Sequence, residues 1–179
     1  MNSIHPEGGD SFESHDINTY LSSEKFGMGV DTTLCPVKEY TKVKPYLTKS
    51  IGGGLSLIGG LSLDSNGSDY VHAGIWYATS LGKVSIFFDP RLYVSIAGEG
   101  NDFFDGFVEA SYPLTEKVSV AFDVIYDHWW DSNDNWALVG PVVYYKISDT
   151  VTVFSRVAQD TNFEGGGSSS VRLGLKWSF

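Results

Sequence analysis

Val171-Arg172-Leu173-Gly174-Leu175-Lys176-Trp177-Ser178-Phe179 ends the chain. Val171, Leu173, Leu175, Trp177 and Phe179 take one parity, and Arg172, Gly174, Lys176 and Ser178 the other. Successive side chains of a strand point to opposite faces, so this spacing predicts a strand with one apolar face and one polar, basic face. The strand runs to the last residue and stops on an aromatic, where chain ends are more often frayed and polar. A sheet closed on itself supplies the reason, because its last strand pairs with its first and neither edge stays open.

The same alternation recurs upstream. Leu55, Leu57, Leu61 and Leu63 alternate with Ser56, Ile58, Gly60 and Ser62, and Val71, Ala73, Ile75 and Tyr77 with His72, Gly74 and Trp76. Val84 to Ile96, Phe104 to Leu114, Val118 to Tyr126, Ala137 to Ile147 and Val151 to Val157 continue it, and the terminal stretch completes eight strands. Each is roughly 10–14 residues long, enough for a tilted strand to cross a bilayer. Tight turns near Gly82, Thr115 and Asp149 alternate with longer loops near Asn66, Asn101, Asn133 and Gly166.

A terminal aromatic preceded by apolar residues at every second position resembles the C-terminal signal of bacterial outer-membrane β-barrels. The resemblance covers residues 54–179 and implies an all-β, antiparallel up-and-down transmembrane barrel of eight strands, with ten as the alternative. It places the short turns on the periplasmic side and the longer loops outside. It also implies that Val171, Leu173, Leu175, Trp177 and Phe179 are read by the barrel-assembly machinery, and that outer-membrane lipid and lipopolysaccharide surround the chain.

Charge distribution is consistent with that assignment. Asp89, Arg91, Asp105, Glu109, Asp123, Asp127, Lys146, Arg156, Arg172 and Lys176 all take the parity opposite to the apolar residues. Five acids thus accompany five bases, and charges withdrawn from water need such partners. These residues are expected to line the lumen. Phe103, Phe104, Trp129, Trp130 and Trp136 flank the outer loops, and Tyr112, Tyr145, Trp177 and Phe179 the opposite ends. They are read as membrane-interface aromatics, since Trp and Tyr favour headgroup depth. A ligand-stacking platform is the other reading for Trp129 to Trp136.

Composition excludes several classes. No apolar run is long enough for a transmembrane helix. A formal net charge of −10 argues against nucleic acid, which demands basic patches. A single Cys35 forms no internal disulfide framework. Met1-Asn2-Ser3-Ile4-His5-Pro6 is not a signal peptide, so Met1 is taken as the start of a mature sequence. Residues 1–53 are expected to form a partly flexible extension, serving as a lumenal plug or contributing two further strands. Pro36 and Pro45 are expected to limit regular pairing there.

Candidate chemistry is sparse. Asp127-His128-Trp129-Trp130-Asp131-Ser132 holds a base, a hydroxyl and carboxylates, as a lipid A-modifying enzyme would need, but one loop does not establish a triad. His72 is expected to meet an interior carboxylate. Asp131, Asn133 and Asp134 lack the glycine and final glutamate of a calcium loop, so neither metal nor cofactor is expected. An eight-stranded interior is filled by side chains, here Phe87, Tyr93, Phe107, Tyr144 and Phe154. The expectation is therefore a non-enzymatic outer-membrane scaffold acting through its outer loops on a surface ligand or partner protein. The alternatives are a small porin and a lipid A-modifying enzyme.

Overall fold

The computed structural model describes residues 14–97, 100–161, 163 and 167–177. They form β1 (His15–Ser22), β2 (Phe26–Cys35), β3 (Tyr40–Gly52), β4 (Leu55–Asp64), β5 (Asp69–Leu81) and β6 (Val84–Ala97). β7 (Phe103–Pro113), β8 (Val118–Trp129), β9 (Asp134–Lys146), β10 (Val151–Thr161) and β11 (Ser169–Trp177) follow. Each strand is hydrogen-bonded to its neighbours in sequence, in the order β1 to β11. The contacts divide the chain into two compact units. One comprises Met1–Ile75 with Arg91–Phe103, the other Trp76–Pro90 with Phe104–Phe179.

The eight strands read from Leu55 onward are β4 to β11. The count of eight, or ten, is corrected to eleven described strands because residues 15–52 contribute β1, β2 and β3 to the same sheet. β2 pairs with β3 over an unbroken register from Phe26↔Lys49 to Cys35↔Tyr40. A left-handed Gly53-Gly54 pair, φ 61° and 80°, turns β3 into β4, the backbone a two-residue hairpin requires.

Pro45 does not interrupt β3, contrary to the expectation from its missing N–H. Its register with β2 is continuous through Val30↔Pro45. On the other side the β3–β4 register steps from Val43↔Leu63 to Tyr46↔Gly60, skipping the pairs around the proline. Pro141 repeats the arrangement. Phe122↔Pro141 lies in the continuous β8–β9 ladder, whereas β9–β10 steps from Val142↔Arg156 to Val139↔Gln159. A residue in a strand offers its N–H to one neighbour only, so a proline costs one ladder and leaves the other whole.

Glycines sit in these gaps. A Cβ on Gly60 would stand 2.2 Å from the Pro45 carbonyl oxygen, and one on Gly140 only 2.0 Å from the Val157 carbonyl oxygen and 2.7 Å from Ala158 Cα. The obstructing atoms are backbone and cannot rotate away. Gly140→Ala is therefore expected to destabilise the fold by about 1–3 kcal/mol, the usual cost of overpacking. Urea unfolding in detergent micelles measures it; a change inside experimental error would show that the two backbones separate freely.

Every strand has one exposed apolar face. In the first unit it carries Phe26, Met28, Val30, Leu47, Leu57 and Leu61, and in the second Phe122, Val143, Val157, Val171 and Leu173. Leu173 is 78% exposed. Large side chains left uncovered along whole strands are unusual for a protein in water. The opposite face carries the buried polar residues Thr33, Lys44, Ser62, His72 and Arg91 in the first unit and Asp123, Asp127 and Arg156 in the second.

Candidate functional site

The polar face is the candidate site, and it differs between the two units. In the first, β3 and β6 place Lys44, Tyr46, Arg91 and Tyr93 inward at alternate positions. The Lys44 Nζ lies 5.8 Å from the centre of the Tyr93 ring and 3.5 Å from its hydroxyl oxygen. The Arg91 guanidinium lies 5.6 Å from the centre of the Tyr46 ring. Both are cation–π distances. Tyr93 is sandwiched, with Phe103 stacked at 4.4 Å and His72 at 5.1 Å. Tyr70 meets Phe103 edge-on at 5.2 Å. Lys44, His72 and Tyr93 are each only 1% exposed, so cations and rings form a tight cluster. Tyr20 extends it, stacking on Tyr46 at 6.2 Å and sharing a 2.8 Å hydrogen bond with the Thr48 hydroxyl.

In the second unit the face is organised by an ion pair. Arg156 on β10 donates to Asp123 Oδ1 on β8 from Nε at 2.9 Å and from Nη2 at 2.6 Å. Both side chains are nearly fully buried. Glu109 and Arg172 lie within electrostatic range of Asp123, and the Tyr144 hydroxyl donates to Glu109 Oε2 at 2.5 Å. Side-chain hydrogen bonds thus link β8 to β10 and β7 to β9.

The predicted lumen charges are thus brought together in part. Arg91, Asp123, Asp127 and Arg156 are buried, and Asp89, Asp105, Glu109 and Arg172 half-buried. Lys176 is exposed near the end of β11. Lys146 pairs instead with Asp149 in the following turn, Nζ to Oδ1 2.7 Å, on the protein surface. That hydrogen bond and charge hold the Asp149 carboxyl below the usual carboxylate range.

Among the predicted interface aromatics, Tyr112, Tyr145 and Trp177 lie on the exposed face and Trp130 in an exposed loop. Phe104 and Trp129 are half-buried at the ends of β7 and β8. Phe103 and Trp136 are corrected from that assignment. Both are buried, because their parity in β7 and β9 is that of the polar face. Phe179, predicted for both the interface and the assembly signal, lies outside the described residues. The remaining signal residues Val171, Leu173, Leu175 and Trp177 all sit on the exposed face of β11.

His128 does not join a nucleophile. Its Nδ1 lies 3.0 Å from Asn135 Oδ1, which also accepts from the Tyr126 hydroxyl at 2.5 Å, and Asp127 points to the other face of β8. His72 stacks on Tyr93, ring centroids 5.1 Å apart. Lys42, Lys44 and Tyr46 were not singled out from the sequence as lumenal, since β3 was not resolved as a strand.

The "KdgM porin in complex with disordered oligogalacturonate" superposes with a TM-score of 0.71 at 13% identity, covering 94% of this chain and 93% of that one. The chain is folded as a bacterial outer-membrane β-barrel. A "Bacterial polysaccharide outer membrane secretin" gives a TM-score of 0.61 at 12% identity over 93% of this chain and 69% of that one. An "Anion-selective porin from Comamonas acidovorans" gives 0.54 at 13% identity over 90% and 58%. At these identities the likeness is one of fold. No protein-family model matches the chain, and no curated protein matches it in sequence. In proteins of that fold the apolar face of the sheet meets lipid and the polar face lines the lumen.

Proposed function

We propose that the chain is a small outer-membrane porin, a non-enzymatic conduit for small hydrophilic solutes that favours anions. The strand count carries this reading. An eight-stranded interior is just wide enough to be filled by side chains, and each added strand widens it. Eleven described strands favour a wider interior than eight would give, and so a porin over a filled scaffold. The porins named among the similar structures, one anion-selective and one solved with an acidic oligosaccharide, support the same choice.

Ion preference follows from the first unit. Lys44 and Arg91 lie over the rings of Tyr93 and Tyr46 as the cations of this cluster. Rings of fixed positive charge at a constriction lower the barrier for anions and raise it for cations. The tight packing of these rings implies a small conductance. Apolar residues at alternate positions of β11 suit the strand for recognition by the barrel-assembly machinery, with membrane lipid as the surrounding partner.

Planar-bilayer recording across a potassium chloride gradient tests the proposal. Discrete steps with a reversal potential on the anion side are expected, and the combined Lys44→Gln, Arg91→Gln variant should shift that potential toward the cation side. A correctly inserted protein without conductance steps contradicts the porin reading; a cation-side reversal potential contradicts the role of the basic cluster.

A further inference from the structure

The second unit contains a recess of about 470 Å³ at the end of the β5–β6 hairpin. Ala78, Ser80, Ser85, Phe87, Glu109 and Ser111 line it. With Thr79 and Ile86 beside them, the lining offers four hydroxyls, one carboxylate and one aromatic ring. Phe87 stands in a row of rings, 6.1 Å from Trp76 on one side and 6.1 Å from Phe107 on the other. The Tyr144 hydroxyl, 2.5 Å from Glu109 Oε2, holds the carboxylate in place. A carboxylate has about four lone-pair sites, so one tyrosine bond uses only part of its accepting capacity.

We propose that this recess is a saccharide-binding subsite taking one neutral sugar ring. A pyranose has a C–H-rich face that packs on an aromatic ring and a rim of hydroxyls that both donate and accept. Phe87 supplies the platform. Glu109 accepts from sugar hydroxyls, and Ser80, Ser85 and Ser111 donate or accept around it. The volume falls in the range of small-molecule sites, and a few placed polar groups on an apolar wall are what such sites use for orientation. Glu109 sets the substrate class. Its negative charge opposes a second carboxylate, so an uronic acid is disfavoured and a neutral sugar preferred. The site deepens the porin reading and rests on it for its use, since a weak subsite beside the path raises the local concentration of solute. Binding itself does not require conduction and is measured separately.

The test is equilibrium titration of the refolded protein in detergent micelles, followed by tryptophan fluorescence and saturation-transfer NMR. The probes are maltose, a galacturonic acid dimer and calcium chloride. Saturable maltose binding in the millimolar range is expected, with weaker binding of the acidic dimer. Phe87→Leu, which keeps most of the volume, should weaken maltose by about fivefold or more, the equivalent of one aromatic contact. Glu109→Ala should weaken it comparably and remove the discrimination against the acidic dimer. Phe88→Leu, on the other face of the same strand, should leave binding unchanged. Absence of saturable maltose binding, binding indifferent to both Phe87→Leu and Glu109→Ala, or saturable calcium binding alone would overturn the subsite. Conductance in bilayers with no maltose binding rejects the subsite and spares the porin; binding without conductance does the reverse.

Discussion

Arg156→Ala is expected to destabilise the folded protein by about 3–5 kcal/mol, the cost of leaving a buried charge without its partner. The guanidinium makes two hydrogen bonds to Asp123 Oδ1, at 2.9 and 2.6 Å. Asp123 is 1% exposed and Arg156 3%. Removing the cation strands a carboxylate where water does not compensate it. Urea unfolding in micelles reads the loss directly. Two further variants separate this from a general effect of deleting a long side chain. Lys146→Ala removes a cation whose partner Asp149 sits on an exposed turn, and should cost under about 1 kcal/mol. Asp123→Leu combined with Arg156→Met removes both charges, and should recover most of the single variant's loss. A cost for Arg156→Ala no larger than that for Lys146→Ala would show that the pair is hydrated rather than buried.

Phe122→Arg is expected to cost about 2–4 kcal/mol, because an arginine on the lipid face near mid-membrane cannot be hydrated. Phe122 is 52% exposed on the apolar face of β8, near the middle of that strand. On a protein in water such a change would be nearly neutral. Leu81→Arg supplies the depth control. Leu81 is the last residue of β5 and is also exposed, but stands beside the turn at Gly82. Its substitution should cost about 0–1 kcal/mol, since a charge near the interface reaches water. Equal and negligible costs at both positions in lipid vesicles would place this face in water.

These two results probe opposite faces of one sheet, and the division between faces was legible in the sequence. Leu55 to Phe179 alternates so regularly that β4 to β11 emerge near their observed limits. Asp123 and Arg156 share the polar parity, but their pairing depends on which strands are neighbours and on register. Parity also held information about the aromatics. Phe103 takes the parity of Asp105 and Glu109, and Trp136 that of Val142, which places both on the buried face. Reading them by their proximity to loops hid this.

Residues 15–52 were harder for identifiable reasons. Gly27 and Gly29 occupy the polar parity of β2 because the rings of Tyr20 and Tyr46 lie over them, so only Asp31 and Thr33, late in the strand, mark that face as polar. Pro45 resembled a strand breaker, although its missing N–H affects only the β4 side. Lys38, Lys42, Lys44 and Lys49 make this stretch basic, yet Lys44 is buried against Tyr93. Neither the basic cluster of the first unit nor the recess at Phe87 follows from spacing alone. The cluster joins β3 to β5 and β6, and the recess takes side chains from β5, β6 and β7.

The most direct test of the membrane-embedded sheet is a nitroxide scan along β8 in lipid vesicles, in a Cys35→Ser background. Single labels at positions 118 to 128 would be compared for collision with dissolved oxygen, which concentrates in lipid, and with a water-soluble nickel complex. Oxygen accessibility is expected to alternate with period two, high at 118, 120, 122 and 124 and low at 119, 121, 123 and 125. Uniform accessibility, or alternation of the opposite phase, would contradict a sheet that turns its apolar face to lipid.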